Sequence, residues 1–199
     1  TLLRSLAGVF GWFEEIGSRS QFVTDLYVEH FNSFPALVTH APGRVNLIGD
    51  HTDYNDGFVL PAAINYGTDI AASKRDDRII SVYAHDCDNQ SAEFSLDDIR
   101  FDESRMWLNY VAGTLKVLRE TVSGIQVADI VVFGNVPQGA GLSSSASFEI
   151  AILKTFAALY GLDLDGVTAA LQGQRAENTF VGCNCGIMDQ LISAMGRDN

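Results

Sequence analysis

Hydrophobic and polar positions change period several times along this chain, and each change marks an element. From Ser145 to Tyr160 there is neither Gly nor Pro, and apolar residues fall on nearly every side, the pattern of a buried helix. Val127 to Phe133, upstream of it, is a β-branched apolar run of strand length. Further strand patterns fall at Leu37 to His40 and Val45 to Ile48, on either side of a Pro42-Gly43 turn, then at Phe58 to Ile64, Gly67 to Ser73, Arg78 to His85 and, briefly, Glu93 to Ser95. Helical spacing runs from Ser104 to Arg119, with Trp107, Tyr110, Val111, Leu115 and Leu118 on the core side. After a stop at Gly161, Asp165 or a neighbour caps a helix reaching about Phe180, Gly182 ends it, and a last helix spans Ile187 to Met195. At the N-terminus Leu2, Leu6, Phe10 and Phe13 have rough helical spacing that Gly8 and Gly11 weaken, and a separate helix is expected from Gln21 to Asn32, laid over a sheet. Residues 1–20 thus read as an extension of unassigned role. Residues 21–199 read as one α+β domain with a mostly antiparallel sheet and packed helices.

The junction between the central strand and its helix carries the densest chemistry. Gly139 and Gly141 let the backbone turn sharply and approach a ligand. The hydroxyls of Ser143, Ser144 and Ser145 cluster where the first N–H groups of the helix lack partners, and such a terminus attracts anions, phosphate above all. An ordinary N-cap needs one Ser and one Gly. Two glycines and three serines exceed that need and point to a phosphate cradle. No Gly-Lys-Ser/Thr follows, so the loop is not a Walker A motif, and three spaced dinucleotide-type glycines are missing too.

Composition narrows the partners. Thirteen basic against twenty-five acidic side chains give a net charge of −12, which disfavours nucleic acid and acidic membrane surfaces. No run is long enough for a membrane span. Three cysteines make no even disulfide framework, and Cys183-Asn-Cys185 has the wrong spacing for a zinc knuckle, so a reducing cytoplasm is the expected location.

Two more groups carry candidate chemistry. The loop Gly49 to Gly57 holds Asp50, His51 and Asp53 within four residues, after a strand bearing Arg44. These acceptors beside donors suit sugar hydroxyls or a metal, whereas a solvated turn with Asx bonds explains the acids but not Arg44 and His51. Asp189 falls in the first turn of the last helix, and a tight turn from Gly182 to Gly186 could bring Glu177 into the same cavity. One carboxylate would hold Mg2+ and the other accept a proton, a division of labour that phosphoryl transfer requires. Trp107 has core spacing, and a partly exposed indole there could stack an adenine.

With these residues in view, Gly43-Arg-Val-Asn-Leu-Ile-Gly-Asp-His-Thr-Asp-Tyr54 resembles the galactokinase signature. Pro137-Gln-Gly-Ala-Gly-Leu-Ser-Ser-Ser-Ala-Ser147 resembles the ATP motif of the GHMP kinase superfamily, and Gly186-Ile-Met-Asp-Gln190 a third segment of it. The resemblance implies the N-terminal lobe of that fold (ribosomal-protein-S5-domain-2-like), with ATP on the glycine loop and galactose between two lobes. It implies ATP-dependent phosphorylation of galactose at the anomeric hydroxyl to galactose 1-phosphate, in galactose catabolism (the Leloir pathway). By the same correspondence Arg44 stabilises the transition state and Asp189 is the base. Asp50, His51, Thr52, Asp53 and Gly186 belong to the sugar site. Gly139, Ala140, Gly141, Leu142, Ser143, Ser144 and Ser145 hold ATP, Ser145 and Glu177 ligate Mg2+, and Trp107 lies beside adenine. Asp50 stands where the family usually has Glu, one methylene longer. The family is about twice as long as this chain, whose C-terminal lobe is missing, so the chain alone is expected to be inactive. Two other readings remain, a non-catalytic galactose and ATP sensor of the same family and a GHMP kinase for another sugar. The unbroken Ser144 to Ser147 run favours the enzyme. Oligomeric state is left open.

Overall fold

A computed structural model describes residues 2–49, 51–55, 57–137 and 139–197, with side chains from residue 17 onward. The elements run α1 (Leu2–Phe31), β1 (Leu37–Ile48), a 3-10 turn (Asp53–Asn55), β2 (Leu60–Lys74), β3 (Ile79–Ala84), β4 (Gln90–Ser95), α2 (Met106–Thr121), β5 (Ala128–Gly134), α3 (Ser144–Tyr160), α4 (Gly166–Ala176), a π turn (Glu177–Val181) and α5 (Met188–Met195).

Five strands form one sheet in the order β1-β2-β5-β3-β4. All neighbours are antiparallel except β3 and β5, which run parallel and are joined through β4 and α2. Alternate side chains of the central strands enter opposite cores. Ile70, Ala72, Ile130 and Val132 face a large core built with α2 and α3, from Val111, Leu115, Ile150, Leu153 and Phe156. Ala71 and Val131 face the other side, where Val23, Leu26 and Tyr27 of α1 cover the sheet. Strands buried on both faces explain the unbroken apolar run of β5.

Three sequence expectations change. The N-terminal helix is continuous through Gly8 and Gly11 to Phe31. Each glycine costs about 1 kcal/mol in a helix interior, but extending a helix that already exists costs little beyond that. The residue-20 boundary therefore falls inside α1, one position after Arg19, which is buried with its Nε 3.5 Å from Asp69 Oδ2 of β2. Secondly, Pro42-Gly43 is not a turn between two strands. It is a register shift within the single strand β1, where the N–H that proline lacks is not missed. Thirdly, Phe58 to Ile64 and Gly67 to Ser73 merge into β2, which pairs with β1 along nearly its whole length.

Candidate functional site

The glycine loop rests on the β1 bulge. Arg44 N donates to Leu142 O at 3.1 Å. A Cβ on Gly43 would come within 2.8 Å of that same oxygen and 3.1 Å of Val136 Cγ2, so only glycine lets β1 and the loop approach so closely. Gly139 and Gly141 both have positive φ, as does Ser143 at 58°. Ser143 occupies the N-cap of α3, yet its side chain makes no capping bond. Its hydroxyl turns instead to Asp189 Oδ2. The first N–H groups of this 17-residue helix are left without a side-chain cap, on the rim of a cleft.

Asp189 is the point on which three elements converge. Arg44 Nε reaches its Oδ1 at 2.8 Å and Nη2 its Oδ2 at 2.7 Å, a two-pronged pair across 145 residues of sequence. Arg44 Nη1 also donates to Gly141 O, so one guanidinium ties β1, the glycine loop and α5 together. Glu177, in the π turn, is buried. Burial pushes its carboxyl above the usual range, opposed by hydrogen bonds from Cys185 and Ser145. The charge of Asp189 contributes to the upward shift at Glu177, so the turn from Gly182 to Gly186 brings the two carboxylates within electrostatic reach of each other.

The cleft beside the loop has a volume of about 620 Å³ and is lined by Gly139, Ser144, Ser145, Trp107, Tyr110 and Phe148, among others. Trp107 packs against the core and also borders this cleft, with its indole N–H donating to Gln90 Oε1 at 2.8 Å. Cys87 lines the same cleft with a thiol that burial and the neighbouring Asp86 and Asp88 push up to about 11, which favours the protonated form.

The polar loop is held largely by itself. His51 Nδ1 meets Tyr54 Oη at 2.8 Å, Thr52 Oγ1 donates to Gly49 O and Phe58 O, and Asn55 Nδ2 donates to His51 O. Asp53 is its tether. Both of its oxygens accept from Met188 N, at 3.2 and 3.1 Å, at the start of α5. A Cβ on Gly186 would lie 1.9 Å from Asp53 Oδ2, so glycine there makes room for the tether. Asp50 lies outside the described residues.

Sequence reasoning missed Glu149 and Gln190. Both are fully buried at 0% exposure, and Gln190 Nε2 bridges Glu149 Oε2 at 3.1 Å and Glu177 Oε2 at 2.7 Å. A signal was present: Glu149 is the lone acidic residue in an apolar helix, one turn beyond Ser145 and on the same face.

An uncapped helix terminus behind a glycine loop is a ready anion site, and the sequence that builds it matches a known kinase domain. The GHMP kinases N terminal domain model matches residues 109–197, and the galactokinase galactose-binding signature matches residues 25–74. Lactococcus lactis galactokinase, solved with galactose, is similar at 33% identity with a TM-score of 0.82, over 88% of this chain and 46% of that one. Methanococcus jannaschii mevalonate kinase gives 22% identity and a TM-score of 0.65, over 79% of this chain and 50% of that one. Streptococcus pneumoniae phosphomevalonate kinase, solved with phosphomevalonate and AMPPNP, gives 16% and 0.63, over 79% and 47%. At such identities the last two show the fold alone. The chain spans about half the length of these relatives. It belongs to the GHMP kinase superfamily as an N-terminal portion, and among those kinases its signature and identity place it with the galactokinases. Among the described residues no helix is long and apolar enough to cross a membrane.

Proposed function

We propose that this chain is the nucleotide- and sugar-holding half of a galactokinase, which transfers the γ-phosphoryl of ATP to the anomeric hydroxyl of galactose. The observation that carries this reading is the Arg44–Asp189 pair set between the glycine loop and the tethered polar loop. Triphosphate held on the N–H groups of Gly139 to Ser145 would point toward Arg44. A sugar held by His51, Thr52, Asp53 and the neighbouring Asp50, against Gly186, would present a hydroxyl to Asp189. Asp189 accepts the proton of that hydroxyl. Arg44 orients Asp189 and offsets charge on the transferring group. Adenine would enter the cleft edged by Trp107.

The donor set fits Mg2+. Ser145 and Glu177 are hard oxygen donors within hydrogen-bond reach of each other, and among the described residues no cationic side chain pairs with the buried carboxyl of Glu177. Among the described residues no three His, Cys, Asp or Glu side chains form an all-protein metal cage. Mg2+ requires none, because it is usually held by one or two side chains with phosphate and water. When bound it supplies charge neutralisation at the phosphates.

Galactose and ATP should each bind the 199-residue chain, while ADP release stays near background until a separately expressed C-terminal half is added. Much of the rate comes from positioning, roughly 7–11 kcal/mol when complete, and an open cleft forfeits part of it. Calorimetry with galactose, glucose and ATP tests binding, and coupled ADP release tests turnover. Equal affinity for glucose and galactose would remove the sugar assignment. Full turnover by the chain alone would remove the half-enzyme assignment.

A further inference from the structure

Glu149 has no part in the chemistry proposed above, yet it is a carboxyl group placed at 0% exposure in the middle of α3. Burial pushes its titration well above the ordinary carboxylate range, the charge of Glu177 pushes it further, and the hydrogen bond from Gln190 only partly opposes them. Glu149 Oε1 and Gln190 Oε1 have no hydrogen-bond partner, so the described bonds in this cluster use only the N–H side of the carboxamide. One N–H fork meets two acceptors, Glu149 Oε2 at 3.1 Å and Glu177 Oε2 at 2.7 Å. Cys185 Sγ lies 3.3 Å from the same Glu177 oxygen. Glu177 is therefore gripped through Oε2 while its carboxylate also meets the Ser145 side chain.

We propose that Gln190 is a positioning residue whose carboxamide, wedged between Glu149 and Glu177, aims the Glu177 carboxylate at Ser145 and joins that pair to the α5 turn carrying Asp189. The role rests on the reading of Glu177 and Ser145 as the Mg2+ pair. Space for the wedge comes from α4. A Cβ at Gly173 would approach Gln190 Cγ to 3.2 Å, tighter than most side-chain contacts, and would press on the stem of the wedge, while Glu149 Oε2 at 3.5 Å would be in ordinary contact. Glu149 is the counter-anchor. By occupying the second N–H it stops the carboxamide from rotating away from Glu177, so two buried groups that touch no substrate define where a third one points. Such outer partners fix ligand direction, and their loss commonly costs 10- to 100-fold in metal affinity.

The test measures ATP affinity of the 199-residue chain by calorimetry, in Mg2+ and in EDTA. The ratio of the two is the readout, because a merely structural role for Gln190 would weaken both together. Gln190→Met, of similar volume but with no N–H, should lose tenfold or more of the Mg2+ enhancement while its affinity in EDTA stays within about twofold of wild type. Should that variant fail to fold, Gln190→Asn keeps the polarity but is one methylene too short to reach both carboxyls, and it should show the same loss. Glu149→Gln retains an oxygen that can accept from Gln190 and should keep the enhancement within about twofold. Full Mg2+ enhancement in folded Gln190→Met, or a parallel loss in both buffers, would overturn the positioning role. If wild type itself shows no Mg2+ enhancement, the Glu177 and Ser145 assignment falls and this inference falls with it. That result differs from failure of the wedge alone, in which wild type responds to Mg2+ and the variant responds equally.

Discussion

The two ends of the site are held in opposite ways. At the glycine-loop end four charged groups are held by distant partners: Arg44 of β1 grips Asp189 of α5, Ser143 reaches the same carboxylate, and Gln190 bridges Glu149 and Glu177. At the polar-loop end residues 51–55 bond mainly to neighbours three or four positions away, and among the described residues Asp53 ties them to α5. The first end is preorganised, so its geometry is fixed before a ligand arrives, as electrostatic stabilisation of a transferring phosphoryl group requires. The second depends on one tether and can adapt. On the function proposed above, the first end would carry phosphate chemistry, which tolerates little misplacement, and the second would select the sugar by which hydroxyls the loop can meet.

The sharpest way to break the pinned end is Asp189→Asn. The amide keeps the shape but cannot take a proton, and it offers Arg44 one acceptor oxygen in place of two. Turnover of the assembled two-half enzyme should fall by about 10²- to 10⁴-fold, the usual contribution of a positioned acid or base. ATP and galactose affinities should change far less. Coupled ADP release and calorimetry on the same preparation check both statements. A variant that keeps a tenth or more of the wild-type rate would deny Asp189 its role.

Gly186→Ala attacks the tether. Its new methyl would lie 1.9 Å from Asp53 Oδ2, so Asp53 must leave Met188 N and the polar loop loses its hold on α5. Overpacking of this kind costs roughly 1–3 kcal/mol. Galactose affinity should drop about tenfold, on the scale of the 1.4 kcal/mol per factor of ten that such a loss implies. ATP affinity should hold within about twofold, because the glycine loop is fixed from β1 and not from Gly186. If ATP binding weakens equally, the two ends are one mechanical unit and the contrast between them is false.

How much of this was readable beforehand follows the same division. The glycine loop and α3 were legible because Gly and Ser excess and an unbroken apolar run are local signals. Asp165 as the cap of α4, and Gly161 and Gly182 as left-handed stops, were legible for the same reason. The long β1 was not, since a bulge containing Pro42 and Gly43 has the composition of a turn. Nor was the continuity of α1, where Gly8 and Gly11 carry a penalty that a 30-residue helix can absorb. The candidate residues were named one by one, without the network that joins them. No spacing rule pairs Arg44 with Asp189, and Glu149 was passed over because its neighbours made α3 look uniformly apolar.

The smallest expected effect tests whether the pinned end is kept at a cost in stability. Glu149 titrates well above its ordinary value of 4.5 in the folded chain, with burial as the main cause and the charge of Glu177 second. Between pH 4.5 and that raised value the folded state keeps a proton that the unfolded state has released. The unfolded state then binds fewer protons, so stability must fall as pH rises through the window. Glu149→Gln is neutral at every pH and still offers an oxygen to Gln190, so its contribution to the slope disappears. Glu177 is shifted in the same direction and leaves part of the slope in place. In metal-free buffer the melting temperatures of wild type and variant should agree near pH 4 and diverge above it, with the variant ahead by several degrees at pH 8. Each kcal/mol is worth roughly 2–4 °C in a chain of this size. A variant that melts lower than wild type at pH 8, or whose advantage is the same at pH 4, would mean that Glu149 is not held as a buried neutral acid. The fixed geometry at that end would then come without the electrostatic cost assigned to it.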